Sequence, residues 1–304
     1  MSIESRFYEG DADRKAIIQL ITRARPTERL AEYPGLIDLQ ELFSLPKVRR
    51  RTRLWFDLAG RLVGYAFVDE LSNLYFEADP LMGSAFEESL LDWAATEALQ
   101  AAQERLQSDP PGISCRSDNL QRVALLERRG FHRQPGALHL VRPLDQPIPG
   151  PVLPPGFTIR PSRGAAEAEA WVALHRLAHG TQYMTVERRL SIIGVDDYDP
   201  ALDLVAVAPD GRLAAYCVGT ISHSENALTG RKDGYTDPLA THPEFQRRGL
   251  CLALLYATMR LLQERGVETA RLSTSRENQA MQRAAAAAGF ELEAETYWFE
   301  LATH

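Results

Sequence analysis

Six prolines fall within the fifteen residues Arg142–Gly156, RPLDQPIPGPVLPPG, and no other feature constrains the fold as much. Proline fixes φ and lacks an N–H, so neither a regular helix nor a central strand passes through such a run. The segment 142–156 reads as a linker. It separates 1–141 from 157–304, two stretches each about the size of one domain, roughly 150 residues.

The two halves repeat one another, which sets the architecture. Each opens with a short strand-like run ending in arginine and followed by a helical pattern: Ile3–Arg6 before DADRKAIIQLI, and Phe157–Arg160 before GAAEAEAWVALHRLA. Each continues with a hairpin of apolar runs around a Gly-Arg turn, Leu54–Val68 and Leu204–Val218. Gly60, Arg61, Leu62 and Tyr65 recur 151 residues later as Gly211, Arg212, Leu213 and Tyr216. Asn119 with Gly130-Phe131 recurs 159 residues later as Asn278 with Gly289-Phe290. The second half has therefore gained a net eight residues, 159 less 151, between hairpin and asparagine, and function is expected there.

That stretch includes Gly234–Leu255, GYTDPLATHPEFQRRGLCLALL. It reads as a strand ending near Thr241, a turn at His242-Pro243, and a basic, glycine-containing loop that opens into a helix running to about Gly266. Free N–H groups and the positive dipole end at a helix N-terminus attract an anion. Arg247 and Arg248 add charge, and Gly249 allows close backbone approach. Leu250, Leu254, Tyr256, Ala257, Leu261 and Leu262 supply the face expected to anchor the helix.

Gln246-Arg-Arg-Gly-Leu-Cys251 resembles the pyrophosphate-binding motif of the GNAT superfamily of N-acetyltransferases, Q/R-x-x-G-x-G/A. Asn278–Phe290 resembles that family's late helix, in which an asparagine precedes Gly-Phe by ten intervening residues. The likeness covers the second half and extends more faintly to the first. It implies an α/β chain, α+β in type, made of two tandem GNAT-like domains, each a mixed, mostly antiparallel twisted sheet flanked by helices. It also implies acetyl-CoA as cosubstrate, with main-chain groups of Leu239, Ala240 and Thr241 bonding the pantetheine and polarising the thioester carbonyl. Arg247, Arg248, Gly249, Leu250, Cys251 and Leu252 would cradle the pyrophosphate, and Asn278 would bond the pantetheine or cap the last helix. A primary amine of a small molecule or peptide would attack the thioester directly in a ternary complex.

Several positions leave alternatives open. Asp237, on the strand before the motif, is the candidate general base, or it shapes a strand end before Pro238. The family commonly places a tyrosine acid seven residues after the asparagine, where this chain has Ala285, so Tyr297 is the candidate stand-in. Cys251 stands where Gly or Ala is usual and reads as a packed small residue or as an acyl-accepting thiol. Asp196–Asp199 is a solvated loop or the wall of an amine pocket, and His242 a turn residue close to the expected thioester. His175 and His179 share a helical face but lack the glutamate of HExxH, so no metal site is expected.

The first half lacks the basic loop. No arginine follows Pro80 before the next helix, which opens with Glu87 and Glu88, and Leu126 takes the family's tyrosine position. It is expected to be a structural copy.

The net charge of −7 argues against general nucleic-acid affinity. Three widely spaced cysteines, Cys115, Cys217 and Cys251, offer neither a disulfide framework nor a CxxC metal site. There is no long uncharged apolar run and no basic-then-apolar start, so a cytoplasmic protein with no membrane partner is expected, with a homodimer left open. The rival to an N-acetyltransferase is a catalytically silent acyl-CoA-binding sensor or scaffold, which Ala285 favours.

Overall fold

The computed structural model describes residues 3–30, 32–105 and 110–301. They group into two units, Met1–Gly136 with Thr296–His304, and Ala137–Glu295.

In the first unit β1 (Glu4–Phe7), α1 (Asp11–Ala24), α2 (Leu36–Ser44) and α3 (Pro46–Arg50) precede an antiparallel meander of β2 (Thr52–Phe56), β3 (Leu62–Val68) and β4 (Leu74–Ala78). α4 (Ser84–Glu104), β5 (Gly112–Arg116), α5 (Leu120–Arg128) and β6 (Phe131–Gln134) follow. The sheet order is β1-β2-β3-β4. Every residue of β3 is buried because both faces are covered. Tyr65 and Phe67 join Ile17, Leu20 and Leu39 of α1 and α2, while Ala66 and Val68 join Leu90, Leu91 and Ala94 of α4.

The second unit repeats the plan. It starts with β7 (Ala137–Pro143), and continues through β8 (Thr158–Pro161), α6 (Ala168–His179), α7 (Val186–Ile193), β9 (Asp203–Val207) and β10 (Leu213–Val218). α8 (His223–Thr229), β11 (Asp233–Tyr235), β12 (Leu239–Thr241), α9 (Leu250–Glu264), β13 (Thr269–Ser275), α10 (Gln279–Ala287) and β14 (Glu291–Leu301) complete it. β8, β9, β10 and β12 form one antiparallel sheet. Cys217 and Ala215 of β10 face Leu250 and Leu254 of α9, whereas Tyr216 and Val218 face Trp171 and Leu174 of α6.

The repeated sequence features do the same local work in both units. Arg6 forks onto Asp13 at 2.6–2.7 Å and Arg160 onto Glu167, each a carboxylate seven residues on at the start of the first helix. Gly60 and Gly211 take φ +75° and +86° in the hairpin turns. Asn119 and Asn278 share a backbone conformation, φ −82°, ψ 71° and φ −81°, ψ 70°, and each side chain accepts the N–H three residues on.

The boundaries differ from the split expected at 141 and 157. β7 lies in the second unit, paired antiparallel with β13 and with the first part of β14 (Glu291↔Val141 to Glu295↔Leu138). From Thr296 onward β14 belongs to the first unit, between β5 (Thr296↔Arg116) and β6 (Leu301↔Phe131). Each half thus gives its last strand segment to the other unit's sheet, a pairing that sequence order does not disclose. Within the first unit the chain passes so close at Gly136 that a Cβ there would lie 2.1 Å from the Thr296 carbonyl oxygen. The outermost ends of the expected spans, 1–2 and 302–304, lie outside the described residues.

Past Pro143, where β7 ends, the proline-rich segment has no regular structure up to Gly156, yet it is packed. Leu144 and Ile148 are buried with Leu255, Met259 and Leu262 of α9. Its carbonyls find side-chain donors: Gln263 bonds Leu144 C=O at 2.6 Å, and Arg260 bonds Ile148 C=O at 3.2 Å. No helix of the described residues is long and apolar enough to cross a membrane.

Candidate active site

The site begins where one strand changes partner. β11 runs parallel to β13, from Asp233↔Thr269 to Tyr235↔Arg271, and Thr236 N–H continues the contact to Arg271 C=O at 2.9 Å. Pro238 has no N–H to extend it. β12 then pairs antiparallel with β10 (Cys217↔Leu239, Tyr216↔Ala240, Ala215↔Thr241). Val218 N–H bonds Pro238 C=O at 3.0 Å and His242 N–H bonds Ala214 C=O at 2.9 Å. Strand main chain alternates sides, so 238, 240 and 242 turn toward β10, and Leu239 and Thr241 turn their N–H and C=O groups toward the opening at the edge of that sheet, where β12 is the last strand.

The Asp237 carboxylate stands at this opening and accepts the Ser273 N–H of β13 at 3.1 Å. Burial pushes its pKa up to about 6, against the opposing effect of the Ser273 bond.

Beyond β12 the His242 Nδ1 accepts the Glu244 N–H at 3.2 Å and starts a 3-10 turn, Pro243–Phe245. Arg212 and Arg248 lie over the Phe245 ring, 4.8 and 5.6 Å from its centroid. Arg247 and Gly249 both take positive φ, +61° and +81°, in the turn that leads into α9. α9 starts immediately after with no side-chain cap, leaving the N–H groups of its first turn directed outward. A Cβ on Gly249 would meet nothing within 4 Å, so its φ, not crowding, calls for glycine. A cavity of about 710 Å³ opens here, lined by Arg248, Gly249, Leu252, Ala253 and Tyr256 of the loop and α9, and by Val152, Leu153 and Pro154.

A strand ending at Thr241, a turn and an arginine-flanked loop opening into a helix are the arrangement expected from the resemblance, and residues 169–290 match the acetyltransferase (GNAT) family. The second unit is a GNAT acetyltransferase domain.

Similar proteins extend the likeness along the chain. The mycothiol acetyltransferase of Salinispora arenicola is 27% identical over 230 residues, 73% of this chain and 72% of that protein. The mycothiol acetyltransferase of Kineococcus radiotolerans is 33% identical over 125 residues, 39% of this chain and 41% of that protein. A GCN5-related N-acetyltransferase from Sphaerobacter thermophilus shares the fold with TM-score 0.71 at 22% identity, over 98% of this chain and 94% of that one. The tandem GNAT protein from the clavulanic acid biosynthesis pathway has TM-score 0.68 at 16% identity over the whole of both chains. The chain is thus an acyltransferase of tandem GNAT fold.

Most of the expected GNAT site residues cluster in this domain. Leu239 and Thr241 present main chain to the opening, whereas Ala240 turns its main chain to β10 and its methyl toward Trp171 and Tyr216. Arg247 and Arg248 are exposed beside α9, Gly249 forms its N-cap position, and Leu252 lines the cavity. Leu250 is an anchor, 1% exposed. Cys251 contacts the Met281 sulfur at 3.8 Å, and burial pushes its thiol up to about 11, which keeps it protonated at neutral pH. Asn278 caps α10 through its Oδ1, bonded to Met281 N–H at 3.0 Å.

Tyr297 lies in the first unit instead, on the part of β14 opposite Cys115, with Arg133 over its ring at 4.7 Å. Ala285 is fully buried in the core beneath α10, as Leu126 is beneath α5. In the loop 196–199, Asp199 accepts Ala201 N–H and pairs with Arg265 at 2.8 Å, and Tyr198 bonds Asp203 at 2.6 Å.

Two features escaped the sequence reading. Tyr256, expected to anchor α9, lines the cavity and bonds Ala287 C=O at 3.2 Å. On the α6 face, Tyr216 OH meets His175 Nδ1 at 2.7 Å and His179 Nε2 at 3.2 Å, and His175 Nε2 meets Tyr183 OH at 3.3 Å. Burial, with the neighbouring His179, pushes His175 down to about 4. The i, i+4 spacing signalled the histidine pair, but the tyrosine between them comes from another strand. No cluster of metal-ligating groups occurs among the described residues.

The corresponding place in the first unit is built differently. Gly83, φ +79°, starts α4, but it follows the turn Pro80–Met82 directly, without the three residues Gln246-Arg247-Arg248. Glu87 occupies the first turn of α4 and binds Arg122 at 2.9 Å, and Arg122 also reaches Glu77 of β4 at 3.1 Å. A carboxylate and its counter-ion thus stand where the second unit leaves main-chain donors open.

Proposed function

We propose that the second unit transfers an acetyl group from acetyl-CoA to a primary amine of a small molecule by direct attack in a ternary complex. The observation that carries this reading is the passage from β12 to α9: main-chain groups of Leu239 and Thr241 facing an opening, followed at once by an uncapped helix N-terminus with Arg247 and Arg248 beside it. Diphosphate fits the second feature and a pantetheine arm with two amides fits the first. The thioester carbonyl, directed at a strand N–H, would develop its negative charge against a fixed dipole.

Asp237, with a pKa about 6, is the general base in this proposal, drawing a proton from the incoming ammonium directly or through one water. No side-chain acid is invoked. A thiol of pKa about 8.5 departs as its thiolate near neutral pH. The mycothiol acetyltransferases among the similar proteins make a mycothiol-type amine the first acceptor to test. The first unit, with Arg122, Glu77 and Glu87 bonded across the equivalent place, takes a structural role.

Calorimetric titration with acetyl-CoA, repeated on Gly249→Glu, followed by thiol release over a panel of amines, tests the reading. Binding lost in the variant together with thiol release for at least one amine supports it. Binding without release for any amine supports the silent acyl-CoA sensor, which Ala285 favours. Undiminished binding by Gly249→Glu removes the assignment of the phosphate seat.

A further inference from the structure

The proline-rich segment does more than connect. Its contacts run in order along α9: Leu144 C=O with Gln263, Ile148 C=O with Arg260, and Leu153 in the core of Leu250 and Leu254. It therefore travels from the C-terminal end of the helix to its N-terminal end. There Val152, Leu153 and Pro154 become one wall of the 710 Å³ cavity, with Leu252, Ala253 and Tyr256 of α9 on the other side and Arg248 and Gly249 at the phosphate seat. Volumes of about 300–1,000 Å³ are usual for small-molecule sites.

A diphosphate held at Gly249 carries two substituents. The amide-bearing arm leads toward Leu239 and Thr241, where the strand's main-chain groups are open. The cavity lined by Leu252, Ala253 and Tyr256 adjoins the same glycine and offers room for the other substituent. Its lining suits a flat ring with a phosphate attached. Val152 is 82% exposed, an apolar side chain with little protein cover. The Tyr256 ring is fixed by its hydroxyl on Ala287 C=O, and Arg248 supplies a cation. Prolines at 151, 154 and 155 hold the facing wall in one shape, so little chain entropy is lost when a ligand settles against it.

We propose that Val152–Pro154 and Tyr256 grip the nucleoside phosphate end of CoA, making the inter-repeat segment a wall of the cosubstrate site. This rests on the CoA reading above.

The test is calorimetry on the full-length protein with CoA and with adenosine 3′,5′-bisphosphate, for wild type, Val152→Asp, Tyr256→Ala and Gly249→Glu. Val152→Asp and Tyr256→Ala are each expected to weaken both ligands by about tenfold, the scale of one lost apolar or stacking contact. Val152 is exposed, so the thermal midpoint of Val152→Asp should match wild type and separate lost contact from lost fold. Wild-type affinity for adenosine 3′,5′-bisphosphate in both variants overturns the proposal. If CoA binding survives those two but is lost in Gly249→Glu, the phosphate seat stands and the wall assignment falls. Absence of CoA binding by the wild type removes both.

Discussion

The Asp237 carboxylate accepts the Ser273 N–H at 3.1 Å, taking the place of a strand partner just where β12 has turned away to β10. One side chain thus closes a ladder and stands at the opening of the proposed thioester site. Asp237→Asn keeps an oxygen for Ser273, so it separates these roles. Turnover is expected to fall by about 10²–10⁴, the usual worth of general-base catalysis, with acetyl-CoA affinity unchanged. In the wild type the rate should rise with pH through about 6 as the carboxyl ionises, and the variant should lack that limb. An unaltered rate and profile would leave Asp237 as the cap of Ser273 alone.

Acid should destabilise the second unit through His175. Its pKa is depressed to about 4 in the folded protein, against about 6.5 for a free imidazole, so between these values the unfolded chain binds more protons than the folded one. The stabilisation is complete above pH 6.5 and is lost as pH falls toward 4, by at most about 3 kcal/mol. Thermal midpoints of wild type and His175→Gln across pH 4 to 7 check this; the variant should show the shallower dependence.

Arg189 and Asp203 form an ion pair with both side chains wholly buried, and Arg189 also lies over the Trp171 ring at 4.2 Å. Asp203→Ala strands a buried guanidinium and is expected to cost about 3–5 kcal/mol in urea unfolding. Glu244→Ala removes one of the two carboxylate partners of Arg212, in a pair that is 52% and 62% exposed, and should cost under about 1 kcal/mol. Equal losses would contradict the role assigned to burial.

Gly136→Ala should destabilise the first unit. The added methyl meets the main-chain oxygen of Thr296 at 2.1 Å, and backbone cannot swing aside as a side chain can. A loss of about 1–3 kcal/mol is expected from such overpacking. A denaturation midpoint equal to wild type would show that the crossing has slack.

Much of the repeat was legible because its signals are local. A glycine at positive φ, an asparagine that caps its own helix and an arginine that meets a carboxylate seven residues on all act within one or two turns of chain, so they survive as spacing in the sequence. The arginine-flanked helix N-terminus was legible for the same reason: Arg247, Arg248 and Gly249 are contiguous with the helix they open. Residues whose meaning depends on a distant partner were not. Tyr256 looked like one more apolar position on α9, and Val152 like part of a connector, because the cavity between them exists only once the segment is laid along the helix.

The sequence by itself determined two related α/β units, a proline-rich segment that carries no regular structure past Pro143, and a basic helix N-terminus in the second unit that the first lacks. These follow from periodicity, proline chemistry and charge at short range. Tertiary structure alone decided that β7 and the part of β14 from Thr296 onward pair in the other repeat's sheet, that Tyr297 falls in the first unit, and that Tyr216 joins His175 to His179. Strand pairing and side-chain clustering bring together residues far apart in the chain. Their selection depends on which surfaces are buried together, a property of the folded whole that no local pattern records.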